Sequence, residues 1–134
     1  MADGIVEYAM EVKNLLKSIG VDAEFSYVPD YSLPDTLTKR CVVVPINVEQ
    51  KIIGRAVVEK TFRVDIAVLY KVKKHSAVSD LVKNVETIAD SLIGRKVLSG
   101  ACVGADFSPL YAADMLLQNN LFVGIISSSI KVAK

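Results

Sequence analysis

The stretch Glu59–Lys74, EKTFRVDIAVLYKVKK, decides how the rest of the chain is read. Phe62, Val64, Ile66, Val68 and Tyr70 recur at every second position, with Glu59, Thr61, Arg63, Asp65, Lys71, Ala67 and Leu69 between them. A period of two sends alternate side chains to opposite faces of a β-strand, so the segment predicts a ribbon with one core face and one mainly charged face. Counted from Ala56 to Tyr70, the ribbon would span roughly 45–50 Å at about 3.3 Å per residue, two to three times an ordinary strand of about 5–6 residues. A small domain does not cover that length. Either the ribbon bends at a bulge or its end projects and meets a neighbour.

Upstream, RCVVVPINV (Arg40–Val48) is β-branched and apolar on both faces, as in a strand covered on both sides. Pro45 supplies no ladder donor and so points to an edge or a bulge. EQKIIG is expected to turn the chain, and RAVVEKTFRVDIAVLYKVK runs back as the partner of an antiparallel hairpin. Ala23–Val28 predicts a short strand. The polar, two-proline segment PDYSLPDTLTK (Pro29–Lys39) predicts a surface loop.

Two segments carry helical periodicity. Ile5, Tyr8, Val12, Leu15, Leu16 and Ile19 line one side of a 3.6-residue helix, with Asp3 placed to cap it and Gly20 to end it. Val78, Leu81, Val82, Val85, Ile88, Ala89 and Leu92 do the same, between Ser76 as cap and Gly94 as terminator. KVLSGACVGADF predicts a strand thinned by Gly100 and Gly104. Ser108 and Pro109 open a short helix through LYAADMLLQ, and LFVGIISSSIKVA closes the chain as a strand. The predicted fold class is α+β. It comprises an antiparallel or mixed sheet with two main helices on one face and a short C-terminal helix, in a single domain over residues 1–134.

Composition excludes more than it names. The chain has 134 residues, 51 % of them hydrophobic, enough for a core without disulfides or metal. Sixteen basic and fifteen acidic side chains leave a charge of +1, which gives no overall field toward nucleic acid or an anionic membrane. The N-terminus lacks the pattern of a signal peptide, and LFVGIISSSIKV is shorter than the ~20 residues of a membrane helix. Cys41 and Cys102 suit buried free thiols in a reducing compartment, with a bridge between them as the alternative.

No arrangement of reactive residues stands out. His75 is the single histidine, which excludes a multi-histidine metal site, and its place after KVKK suits an exposed turn. Ser99, Ser127, Ser128 and Ser129 lack a nucleophile elbow. Gly100 and Gly104 form no phosphate-binding loop. Lys71, Lys73, Lys74 and His75 form a basic cluster with no aromatic platform for stacking bases. SSSI reads as a strand whose small hydroxyls tolerate close contact with another chain. Arg63 and Asp65, opposite charges two apart on one face, mark either a solvated surface or a subunit contact. Neither enzymatic activity nor a cofactor is expected.

The succession of IVEYAMEVKNLLKSIG, RCVVVPINV, FRVDIAVLY, SDLVKNVETIADSLIG and the final LFVGIISSSIKV resembles the tail terminator, or tail completion, proteins of long-tailed bacteriophages. The resemblance implies a hexameric ring that caps the head-proximal end of a tail tube and ends its polymerisation. Its implied partners are further copies of itself, the tail tube protein and the head connector or neck protein. It implies no membrane, nucleic acid only in passage through the ring, and a virion location after assembly in the bacterial host cytoplasm. The long loop Pro29–Lys39 and the triple serine have no counterpart in the family. Another neck, head-completion or tail-tube component, or a sheet-edge peptide-binding module, is the alternative. Under the ring reading the expected interface draws on Arg63, Asp65, Val43, Pro45 and Lys71, in the ribbon and in an edge strand Cys41–Val48.

Overall fold

The computed structural model describes residues 4–28, 33, 38–74, 77–97, 101–107 and 120–133. Helix α1 spans Ile5–Ser18 and α2 spans Val78–Leu92. The strands are β1 (Ala23–Phe25), β2 (Lys39–Gly54), β3 (Val57–Lys71), β4 (Lys96–Val97), β5 (Ala101–Cys102), β6 (Gly104–Phe107) and β7 (Leu121–Ala133). The main sheet has five strands in the order β1-β2-β3-β7-β6, and β4 with β5 forms a two-stranded ladder. β1 runs parallel to β2 and the other neighbours are antiparallel, so the fold is α+β with a mixed sheet.

The expected ribbon is β3, the central strand. It pairs with β2 from Lys39↔Tyr70 to Gly54↔Val57 and with β7 from Lys71↔Leu121 to Glu59↔Ala133. Its period of two resolves into two burial environments. Phe62, Val64, Ile66 and Val68 join Val43, Phe122, Ile126 and Ile130, together with Tyr8, Val12 and Leu16 of α1 and Val85, Ile88 and Leu92 of α2, in one buried cluster. On the opposite face Val42, Val44, Ala67, Leu69 and Val123 form a second buried cluster. The expectation of a mainly charged second face is therefore corrected over half its length. Ala67 and Leu69 are fully buried and pack in one cluster with Val42, Val44 and Val123.

The helix ends show what local chemistry fixed. Gly20 lies at φ +88°, donating its N–H to Lys17 O while Val21 N–H reaches Leu16 O, the paired bonds of a Schellman termination. Gly94 lies at φ +81° and its N–H donates to Val103 O. The capping expectations change: α1 starts from Gly4 and α2 from Ala77, neither with a side-chain cap bond, while Asp3 and Ser76 lie outside the described residues.

Two element boundaries also differ. EQKIIG does not turn the chain; β2 runs through it to Gly54, and Arg55–Ala56 makes the turn, with Ala56 at φ +57°. KVLSGACVGADF gives three short strands instead of one. Val103 leaves the ladder because its N–H donates to Arg95 O and its carbonyl accepts from Gly94, which ties this stretch to the end of α2. The helix expected over Leu110–Gln118, like His75, lies outside the described residues.

Candidate assembly surface

β2 and β3 together outrun the sheet that supports them. Among the described residues β7 pairs with β3 as far as Glu59↔Ala133, so Ile52–Val58 is paired there only as a two-stranded arm of β2 and β3. Every residue from Ile46 to Ala56 is exposed. Ile52 is 80 % exposed and Ile53 49 %, with Ile46 and Val48 also open. β-branched residues hold the arm in strand form, and register shifts at Pro45/Asn47 and Ile52/Gly54 put an irregularity at its base and near its tip. A long edge with apolar side chains invites pairing with another chain.

Two sheet margins are open. β1 covers only Cys41–Val43 of β2, extended by Ser26 N–H donating to Val43 O at 3.0 Å. Among the described residues no strand pairs with the outer side of β2 from Val44 to Gly54, or with the outer side of β7 from Ile130 to Ala133. The expected edge strand Cys41–Val48 is thus interior in its first part and an edge in its second.

Between the margins the second sheet face turns polar. Asn47, Arg63, Ser129 and Gly104 form one row across four strands, and Asp65, Ser127 and Asp106 form the next. All of these except Asp65, together with Glu49, Thr61 and Ala105, border a shallow depression of about 370 Å3. Arg63 Nε donates to Asp65 Oδ1 at 3.4 Å, with the Arg63 side chain 44 % exposed and Asp65 11 %. Solvent reaches the guanidinium, so the pair adds little stability.

The five residues expected at the interface do not form one patch. Arg63 and half-buried Pro45 stand at the base of the arm. Lys71 is exposed at the other end of β3, roughly 26 Å from Arg63 at about 3.3 Å per residue. Val43 is wholly buried in the helix-side core, which removes it from any interface, because β1 on one side and β3 on the other make it an interior position. Asp65 is 8 % exposed and is not among the residues that border the depression; it is linked to them by its ion pair with Arg63. The triple serine divides: Ser127 and Ser129 face the depression, whereas Ser128 is buried and donates to Val64 O at 3.0 Å.

A second cavity, about 380 Å3, lies where Gly20, β1 and α2 meet, and Cys41, Tyr70, Asn84, Arg40 and Glu24 line it. Cys41 is a free buried thiol, which corrects the alternative of a bridge to Cys102. Burial, then the Glu24 and Asp22 carboxylates, push it up to about 12, so it offers no thiolate nucleophile at neutral pH. Arg40 Nε is tied to Glu24 Oε1 at 3.2 Å, and Asn84 Nδ2 to the Tyr70 hydroxyl. Burial raises the Tyr70 phenol as well. Among the described residues no three His, Cys, Asp or Glu side chains gather as a metal ion would require, and no helix is long and apolar enough to cross a membrane.

No protein-family model matches the chain, and no curated protein matches it.

Ile52, Asn47 and Asp106 were not among the expected interface residues, and Ser127 and Ser129 were expected only to tolerate close contact with another chain. Ile52 was legible in principle: IIG holds no Asn, Asp or Pro, and its isoleucines continue the strand pattern beyond Val48. The polar row was not, since it exists only once four strands are in register.

Proposed function

We propose that this chain is a tail terminator: a structural subunit that closes into a ring on the head-proximal end of a phage tail tube, stops its growth and offers the head a joining surface. The observation that carries the reading is the β2–β3 arm, which leaves the sheet with Ile52 and Ile53 exposed. A second support is the pair of open margins on opposite sides of the sheet, one at β2 and one at β7. In a cyclic ring each copy uses two different surfaces, one for each neighbour, and a subunit with unlike margins meets that requirement. Termination then follows from geometry. The ring satisfies the tube's last layer on one side and presents a different surface on the other, so no further tube subunit adds. The reading retains both main helices on one side of the sheet and a short helix over Leu110–Gln118.

The free edge of β2 also favours a second reading, a monomeric module that takes up an extended peptide as an added strand. Purified chain mixed with tail tube subunits separates the two. The terminator is expected to give tubes of bounded length with a ring at one end by electron microscopy. Tubes that grow as they do without the chain would refute it, and a monomer that binds extended peptides would establish the module.

A further inference from the structure

The open edge of β2 has a definite hydrogen-bonding phase. Lys71 N–H donates to Thr38 O on the β2 side of β3, and Val72 N–H to Asn120 O on the β7 side. β3 keeps one register with β7 from Lys71 to Glu59, so its odd-numbered residues turn their peptide groups toward β2 and its even-numbered ones toward β7. Arg63, Thr61 and Glu59, paired with Asn47, Glu49 and Lys51, therefore carry the ladder to β2. Val48, Gln50 and Ile52 are left with N–H and C=O directed outward, where no described strand pairs with them.

This edge is its own complement. Two such strands running antiparallel pair even-numbered residues with even-numbered ones, and a two-fold axis at Gln50 sets Gln50 opposite Gln50, Val48 opposite Ile52 and Glu49 opposite Lys51. On the helix-side face Ile52, 80 % exposed, then lies beside Val48. On the other face Lys51 comes to stand between Glu59 of its own β3 and Glu49 of the second copy. Moving the axis by one residue sets Glu49 against Glu49 or Lys51 against Lys51, a like charge directly opposite; moving it by two separates Glu49 from Lys51. Length agrees with charge. Centred on Gln50, the overlap runs from Ile46 to Gly54, clear of Val43, whose carbonyl accepts from Ser26, clear of Pro45, which has no N–H, and clear of the Arg55–Ala56 turn.

We propose that two copies of the free chain pair along β2, antiparallel about a two-fold axis at Gln50, and join their sheets into one. The contact is isologous, so it closes at two copies. It goes beyond the terminator reading and does not depend on it. Within that reading it occupies the β2 margin that a ring neighbour needs, which makes it the form held before a tube is met, with an aggregation-prone edge covered.

Single cysteines read the register, in a Cys102→Ser background that keeps buried Cys41. Under oxidised glutathione Gln50→Cys is expected to give a covalent dimer by itself, whereas Glu49→Cys and Lys51→Cys are expected to cross-link with each other and not singly. Light scattering of the unaltered chain is expected to show a concentration-dependent dimer. Glu49→Lys and Lys51→Glu each create like-charge pairs across the axis, so each variant alone is expected to dimerise at least about tenfold more weakly. An equimolar mixture of the two, in which both contacts again join opposite charges, is expected to recover the dimer. A free chain that is monomeric at every concentration measured overturns the pairing and leaves the terminator reading to the tube assay. So does a dimer that cross-links through Glu49→Cys alone or Lys51→Cys alone and not through Gln50→Cys. A Gln50→Cys dimer from a chain that leaves tubes uncapped supports the pairing and refutes the terminator.

Discussion

At Tyr8 the core contains a polar group that sequence periodicity placed only as apolar. The residue is fully buried, and among the described residues no partner meets hydrogen-bond geometry with its hydroxyl. Burial pushes the phenol up to about 12, and nearby Ser128 acts in the opposite direction. Removing an unsatisfied buried hydroxyl costs little, so Tyr8→Phe is expected to leave neutral-pH stability unchanged or to raise it by up to about 1 kcal/mol, measured by chemical denaturation. Both Tyr8 and Cys41 are protonated in the fold with pKa values above those of the unfolded chain. Their contribution is therefore complete below about pH 9 and is lost as pH rises through the window from 9.0 or 10.0 to about 12. Denaturation midpoints across that window should fall, and fall less in Tyr8→Phe. Arg63 and Asp65 separate at this scale. Reversing exposed Arg63 should change folding by less than about 0.5 kcal/mol, whereas Asp65→Lys places a new charge at a buried site and should cost about 3 kcal/mol in a thermal melt.

The arm behaves as an element apart from the body. Its residues from Ile52 to Val58 pair only with each other, and their side chains add nothing to either buried cluster. Joining Lys51 to Glu59 through Asn-Gly, the pair favoured in two-residue hairpin turns, should keep the melting temperature close to that of the full chain while abolishing self-association in light scattering. A melt lowered by many degrees would show that the arm belongs to the fold. Within the arm, Ala56 holds φ +57°, a conformation that disfavours a side chain with Cβ. Ala56→Gly is expected to stabilise by about 0.5–1 kcal/mol, since strain relieved there exceeds the entropy glycine adds to the unfolded chain.

For the whole molecule, the two faces of the sheet serve different ends. One contributes to a buried cluster that also draws on residues of both helices; the other is half apolar cluster and half polar depression. The arm and the open margins of β2 and β7 leave the body at its periphery, and a ring built through them exposes the polar depression to whatever lies above, below or within it. If it faces the tube or channel, changing Asn47, Ser127 and Ser129 together to bulkier residues should permit self-association while impairing capping, read as unbounded tube growth in electron micrographs. Loss of self-association in that variant would place the depression at the contact between copies instead.

Sequence alone determined the hairpin of β2 with β3, both helices with their glycine ends, and the final strand, because each rests on local period, turn chemistry or the freedom of a glycine at positive φ. It also carried the overlong ribbon, since strand length follows from counting. The tertiary structure decided the rest. Val43 was an edge candidate until β1 folded beside it, and Asp65 a surface charge until β2 and β7 closed around its neighbours. Ser127 and Ser129 became part of a polar row only when β6 paired with β7. A period of two states that a residue lies on one of two faces; which face is covered, by what, and how far along the strand, depends on segments distant in the chain, and local sequence holds no record of that distance.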